Sequence, residues 1–171
     1  LLDRATAWVC DNAPPDSHIL DYMCGTGYLL NAISMARTDI TASGCDIDPR
    51  YIEYGSHCYA RVSLHCQDAL EFEPPATPTV ILCTAGLHHL PRNQQIHFVA
   101  KMASELQKGQ FFLIGEEVIR EFRSEQERRA ACLEMASSLI AFAIAQDAPS
   151  EVLGAAVDML SNDLFENGEY K

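Results

Sequence analysis

The sequence predicts an α/β fold: a doubly wound sheet of at least five parallel strands with flanking helices, followed by a helical C-terminal segment. Three observations carry this. Strand and helix signals alternate from His18 to Ile119, the pattern of a parallel sheet whose crossovers are helices. The apolar run over 18–23 contains an acid and turns through glycines directly into an apolar helix, as when a strand feeds a helix N-terminus toward a ligand. After Ser124 the pattern is helical only.

The elements follow in order. Residues 1–12 place Leu1, Ala5, Trp8 and Val9 on one helical face, and two prolines over 13–16 end that helix. Residues 18–23 read as a strand, 28–36 as a helix and 40–46 as a strand. Asp48-Pro49 is a helix start, with the acid as N-cap and proline at the first helical position. That helix runs to about Tyr59, and a strand follows over 62–67. The three prolines of 71–79 predict an extended loop. Residues 80–84 are a buried strand, 93–106 a helix closed by Lys108-Gly109, and 110–119 a fifth strand. Ser124 and Glu127 fit a capping box for a helix reaching Ala145. Residues 147–150 are a break, a further helix runs from 151 to about 160, and 161–168 read as a polar turn.

The chain has 171 residues, enough for one domain with a sizeable core. Twelve Lys and Arg against 24 Asp and Glu give a net charge of -12, which repels phosphate backbones and disfavours a nucleic-acid partner. Arg120, Arg123, Arg128 and Arg129 are interleaved with glutamates and read as a solvated face. The seven cysteines form no C-x-x-C pair and several lie in apolar runs; they read as small hydrophobes in a reducing, cytoplasmic compartment, with no zinc or other metal site expected. No apolar run is long enough to span a membrane, and no signal-peptide pattern opens the chain.

The glycine turn narrows the ligand. Gly25-Thr26-Gly27 lacks the third glycine of a dinucleotide fingerprint and the lysine of a phosphate loop. Instead Asp21 precedes the turn, suited to an amino group, and Asp46 follows 25 residues later. Two acids around a glycine turn suggest a nucleoside cofactor with a cationic end.

On these residues the chain resembles the class I S-adenosylmethionine-dependent methyltransferases, from the first helix through the fifth strand. LDYMCGTG over 20–27 resembles their first motif, GCDIDP over 44–49 the second, HCQDALEF over 65–72 the third, and VILCTAGLHHL over 80–90 the fourth with its following loop. The resemblance implies a Rossmann-like core and S-adenosyl-L-methionine as cofactor. It implies that Asp21 faces the amino-acid end, among Met23, Cys24, Gly25 and Gly27, and that Asp46 holds the ribose hydroxyls. Ile47 would lie against adenine, Asp68 would accept from its amino group, Gln67 and Ala69 would flank it, and Thr84 would border the site. Two departures are visible. Met23 stands where the family has its first glycine; methionine is compatible with the turn at negative φ, and it narrows the site or shifts the turn. Thr79 stands where an acid often precedes the fourth strand.

His88 and His89 lie where a doubly wound sheet opens and are the candidate catalytic bases. The alternative is a helix-start histidine that packs on the cofactor edge or caps the backbone. Glu116 and Glu117 end the fifth strand on the same rim and either line the acceptor pocket or are solvated. The expected division is a cofactor-binding core over 1–120 and a helical segment over 121–171 of the same domain. Leu133, Met135, Leu139, Ile140, Phe142 and Ile144 there form a lid for a small acceptor, ordinary packing or a subunit interface. The family's two final antiparallel strands have no counterpart here, so they are expected in a segment outside this sequence or replaced by another chain, as in a homo-oligomer. The reaction implied is methyl transfer to a small-molecule O, N or C acceptor. The competing readings are another S-adenosyl-group enzyme, such as an aminopropyl transferase or a cofactor-modifying synthase, and a non-catalytic binding module.

Overall fold

The computed structural model describes residues 1–116, 118–158 and 161. It divides into two compact units, Leu1–Glu116 and the residues after it. The first unit is a parallel sheet of β1 (His18–Tyr22), β2 (Thr41–Asp46), β3 (Val62–Cys66), β4 (Val80–Thr84) and β5 (Phe111–Gly115), in the order β3-β2-β1-β4-β5. Helices α1 (Leu2–Asn12), α2 (Tyr28–Ala36), α3 (Pro49–Cys58) and α4 (Arg92–Glu105) complete it. The chain enters at β1, winds outward to β3, and returns to β4 on the other side of β1. That reversal opens a crevice at the carboxyl ends of β1 and β4, where doubly wound sheets bind ligands.

Both faces of the sheet are covered, so its central strands are apolar on both sides. Ile19, Ala42, Val80 and Leu82 pack with Ala5 and Val9 of α1 and Leu29, Leu30 and Ile33 of α2. Leu20, Tyr22, Ile81 and Cys83 pack with Phe72 and with Phe98 and Met102 of α4. Leu1, expected on the buried face of α1, is exposed. The seven cysteines are unbridged; Cys45, Cys83 and Cys132 are buried, whereas Cys58 and Cys66 are exposed.

Local chemistry sets the helix boundaries. The Asp48 side chain accepts from Arg50 N–H at 2.9 Å, and Pro49 occupies the first turn of α3. Gly27 caps α2 at φ 78°, in the left-handed region that favours glycine. The fifth strand is shorter than 110–119: it stops at Gly115 because the next side chain, Glu116, turns back to accept from the N–H groups of Gly86 and Leu87. A short 3-10 turn over Leu87–His89 follows β4 and was not expected from sequence. The proline-rich stretch before β4 carries no helix.

In the second unit, α5 (Glu125–Ala145) begins at Ser124, whose side chain accepts from Glu127 N–H at 3.2 Å. The Glu127 carboxylate takes the N–H of Arg123 at 2.6 Å, one residue before the cap that a capping box would close. Asp147, at φ 51°, breaks the chain before α6 (Ser150–Asp158). The expected turn over 161–168 and the last residues of the final helix lie outside the described residues, apart from Ser161, and so does Glu117. No described helix is long and apolar enough to cross a membrane.

One close approach aligns α3 with the glycine turn. A Cβ at Gly55 would stand 2.1 Å from the Thr26 carbonyl oxygen and 2.5 Å from Leu64 Cδ1. An alanine in a helix interior ordinarily gains up to about 1 kcal/mol over glycine. Here a backbone oxygen must move, and overpacking costs about 1–3 kcal/mol. Gly55→Ala is therefore expected to lower the melting temperature by several degrees in thermal denaturation; a rise would contradict this contact.

Candidate functional site

A cleft of about 600 Å³ opens at the carboxyl ends of β1, β2 and β4. Its wall includes Asp21, Met23, Cys24, Gly25, Asp46, Ile47, Asp68, Ala69 and Thr84, all singled out from sequence. Gly27 and Gln67 are not on the wall. Gly27 sets the start of α2, and Gln67 gives its backbone N–H to the Asp46 carbonyl at 2.9 Å. Sequence reading missed Tyr28, Tyr51, Ala85, Gly86 and Leu90 on the same wall. The two tyrosines stand in the first turns of α2 and α3, the only local signal that could have found them.

Asp46 ties the turns together. One carboxylate oxygen accepts from Gly25 N–H at 2.8 Å and the other from Asp48 N–H at 2.9 Å. A carboxylate has about four acceptor sites, so both oxygens keep capacity toward the cleft. Asp68 is held similarly: its Oδ1 accepts from Leu70 N–H at 2.8 Å. Lys101 of α4 fixes the same loop by donating to the carbonyls of Leu70 at 3.2 Å and Phe72 at 2.9 Å.

Asp21 is the electrostatic anomaly. It is 1 % exposed, and its Oδ1 has no hydrogen-bond partner in the described structure. Burial pushes its carboxyl up to about 8, with the Asp46 charge adding to the effect. An unpartnered, strongly shifted acid on a cleft wall marks a candidate functional group.

The Met23 turn differs from its expectation. The residue adopts φ 56°, not a negative angle, and Ala85 on the neighbouring strand end adopts φ 51°. Each carries a left-handed penalty of roughly 1–2 kcal/mol. The close neighbour that a Cβ at Gly86 would meet is Met23 itself, with 2.7 Å between the Cβ positions.

The adjacent histidines have different surroundings. His88 Nδ1 lies 2.8 Å from Glu116 Oε2 and the ring is not on the cleft wall, whereas His89 is on it. The two rings lie tilted by 42° to each other with centroids 4.2 Å apart. Glu116 Oε1 accepts from Gly86 N–H at 2.9 Å and Leu87 N–H at 2.6 Å. Burial alone would raise the Glu116 carboxyl, but the bonds from His88, Leu87 and Gly86 outweigh it and hold it below its ordinary value. Glu116 thus anchors the loop after β4.

Known proteins share this fold. The sequence profile of a family described as "Methyltransferase domain" matches residues 19–109. No curated protein matches the chain in sequence. The sugar N-methyltransferase KedS8 from Streptoalloteichus sp. superposes with a TM-score of 0.59 at 19% identity, over 72% of this chain and 50% of that one. The SAM-bound amino pentose methyltransferase CalS10 from Micromonospora echinaspora does so at 0.60 and 20% identity, over 72% and 52%. A TehB-like SAM-dependent methyltransferase from Corynebacterium glutamicum gives 0.59 at 21% identity, over 78% and 70%. The chain spans about half the length of the first two, and at these identities the likeness is one of fold. The matched segment runs from β1 through the turn after α4 and contains the glycine turn with both of its carboxylates, and on that basis the chain belongs to the methyltransferase domain family.

Proposed function

We propose that the cleft binds S-adenosylmethionine and that the protein transfers the cofactor's methyl group to a small-molecule acceptor. The observation that carries this is Asp21, a buried carboxyl with an unpartnered oxygen on the wall of a cleft that also presents Asp46. The cofactor's ammonium supplies the counter-charge that the Asp21 carboxylate lacks. Asp46 has acceptor sites left for a ribose diol, and Ile47 and Ala69 provide apolar surface for a purine. The volume, about 600 Å³, falls within the roughly 300–1,000 Å³ of small-molecule sites.

When bound, the cofactor supplies a methyl group on a sulfonium, already electrophilic. The work left to the protein is positioning and exclusion of water. Asp21 orients the amino-acid end of the ligand and Asp46 its ribose, and Thr84, Ala85 and Gly86 close the side toward β4. His89 is the side chain on the wall suited to accept an acceptor proton, and Glu116 and His88 hold its turn in place. The net charge of -12 supports a small-molecule acceptor over a nucleic acid. The free thiols support a reducing, cytoplasmic location.

Calorimetry tests the cofactor assignment. S-adenosylhomocysteine is expected to bind, and Asp46→Ala to weaken it at least about tenfold, a lost charged hydrogen-bonding group being worth about 1.4 kcal/mol or more. A folded wild-type protein that binds neither S-adenosylmethionine nor S-adenosylhomocysteine at millimolar concentration would overturn the proposal.

The raised Asp21 carboxyl gives a signed pH dependence. Its value goes from 3.8 to about 8 on folding. Between those values the folded state keeps a proton that the unfolded state releases, so this contribution to stability falls as pH rises from about 4 to about 8. Asp21→Asn removes the contribution, and thermal melts are expected to show a higher melting temperature than wild type near pH 8 and a flatter profile. Affinity for S-adenosylhomocysteine should rise between about pH 6 and pH 8 in the wild type, because the ionised carboxylate pairs with the ligand ammonium. The rise should be absent in Asp21→Asn.

A further inference from the structure

We propose that Lys101, which is not on the cleft wall, is a positioning residue for base recognition: its ammonium holds the turn over 68–72 so that Asp68 meets the amino group of an adenine. The inference rests on the cofactor reading above and extends it to a residue of α4 that acts through the turn.

The turn after β3 closes on Asp68. The Asp68 carbonyl accepts from Glu71 N–H at 3.1 Å and Phe72 N–H at 2.8 Å, and its carboxylate accepts from Leu70 N–H at 2.8 Å. These bonds set the shape of the turn. Its place on the sheet needs contacts from outside. Phe72 supplies the apolar one, packed edge-on to Tyr22 of β1 with ring centroids 5.9 Å apart. Lys101 supplies the polar one: its Nζ donates to the carbonyls of Leu70 at 3.2 Å and Phe72 at 2.9 Å, at the far end of the same turn. The same ammonium lies 5.8 Å from the centroid of the Tyr22 ring, within the range of a cation–π contact. Tyr22 directly follows Asp21 in β1. One cation thus ties the turn that carries Asp68 and Ala69 to the strand that carries Asp21.

The support behind Lys101 is firm, and the chain beyond the turn is not regular. Phe98 and Met102 of α4 are fully buried, so the lysine stem rises from an anchored helix. Residues 73–79, with Pro74, Pro75 and Pro78, form neither helix nor strand. Reading a base by a hydrogen bond demands placement within about 0.5 Å, which depends on the residues behind the contact. The two carbonyls that Lys101 holds belong to the residues that follow Asp68 and Ala69, both on the cleft wall.

Calorimetry on the full chain with two ligands tests this: S-adenosylhomocysteine, and S-inosylhomocysteine, in which an oxo group replaces the purine amino group. Wild-type protein is expected to prefer the adenosyl ligand at least about tenfold, since a site built to pair a polar group rejects the analogue without it. Lys101→Met keeps the stem and removes the donors. It should weaken S-adenosylhomocysteine about tenfold and leave S-inosylhomocysteine within about twofold of wild type, so the preference falls toward one. Lys101→Arg retains donors and should restore most of the preference. Melting curves establish that each variant is folded, and Lys101→Gln makes the same comparison if the methionine variant does not fold. A folded variant with the wild-type preference overturns the proposal, and so does equal weakening of both ligands, which a merely structural lysine would give. Wild-type protein that binds neither ligand defeats the cofactor reading and this inference together. Wild-type protein that binds both equally defeats this inference and leaves the cofactor reading in place.

Discussion

The Asp46 carboxylate is the point on which the site depends. By taking the N–H groups of Gly25 and Asp48, it joins the turn after β1 to the start of α3. Two loops far apart in sequence become one wall, and the backbone that a ligand would meet is held before the ligand arrives. The close approach of α3 at Gly55 to the Thr26 carbonyl reinforces the same junction. Asp46 is thus the strut between the two turns.

Asp21 and Glu116 show how environment divides similar groups. Both are acids at the carboxyl ends of sheet strands. Glu116 accepts from Gly86, Leu87 and His88 and stays ionised, so it serves the loop after β4. Asp21 is buried, has an oxygen without a partner and feels the like charge of Asp46. The first is a satisfied structural anion, and the second is a buried acid with an unsatisfied oxygen on the cleft wall.

Much of the site was legible in sequence because the signal is local. An apolar run, an acid and a glycine turn occupy eight consecutive positions over 20–27, and Asp46 and Asp68 each follow a strand pattern. The reading was less sound where tertiary contacts decide. Val118 and Ile119 extend the apolar pattern of the fifth strand, yet that strand ends at Gly115 because Glu116 is drawn to the backbone of Gly86 and Leu87. His88 and His89 are indistinguishable as neighbours in sequence. One faces Glu116 and the other the cleft, and a partner 28 positions away decides which.

The sequence by itself determined the order of strands and helices, the doubly wound class, and the acids that face the crevice, since periodicity and turn chemistry are properties of short segments. The tertiary structure decided the left-handed conformation of Met23, the notch at Gly86 that receives it, and the raised pKa of Asp21. These depend on which distant residues share a boundary and how much water is excluded there. Only the packing of β1 against β2 and β4 supplies that information.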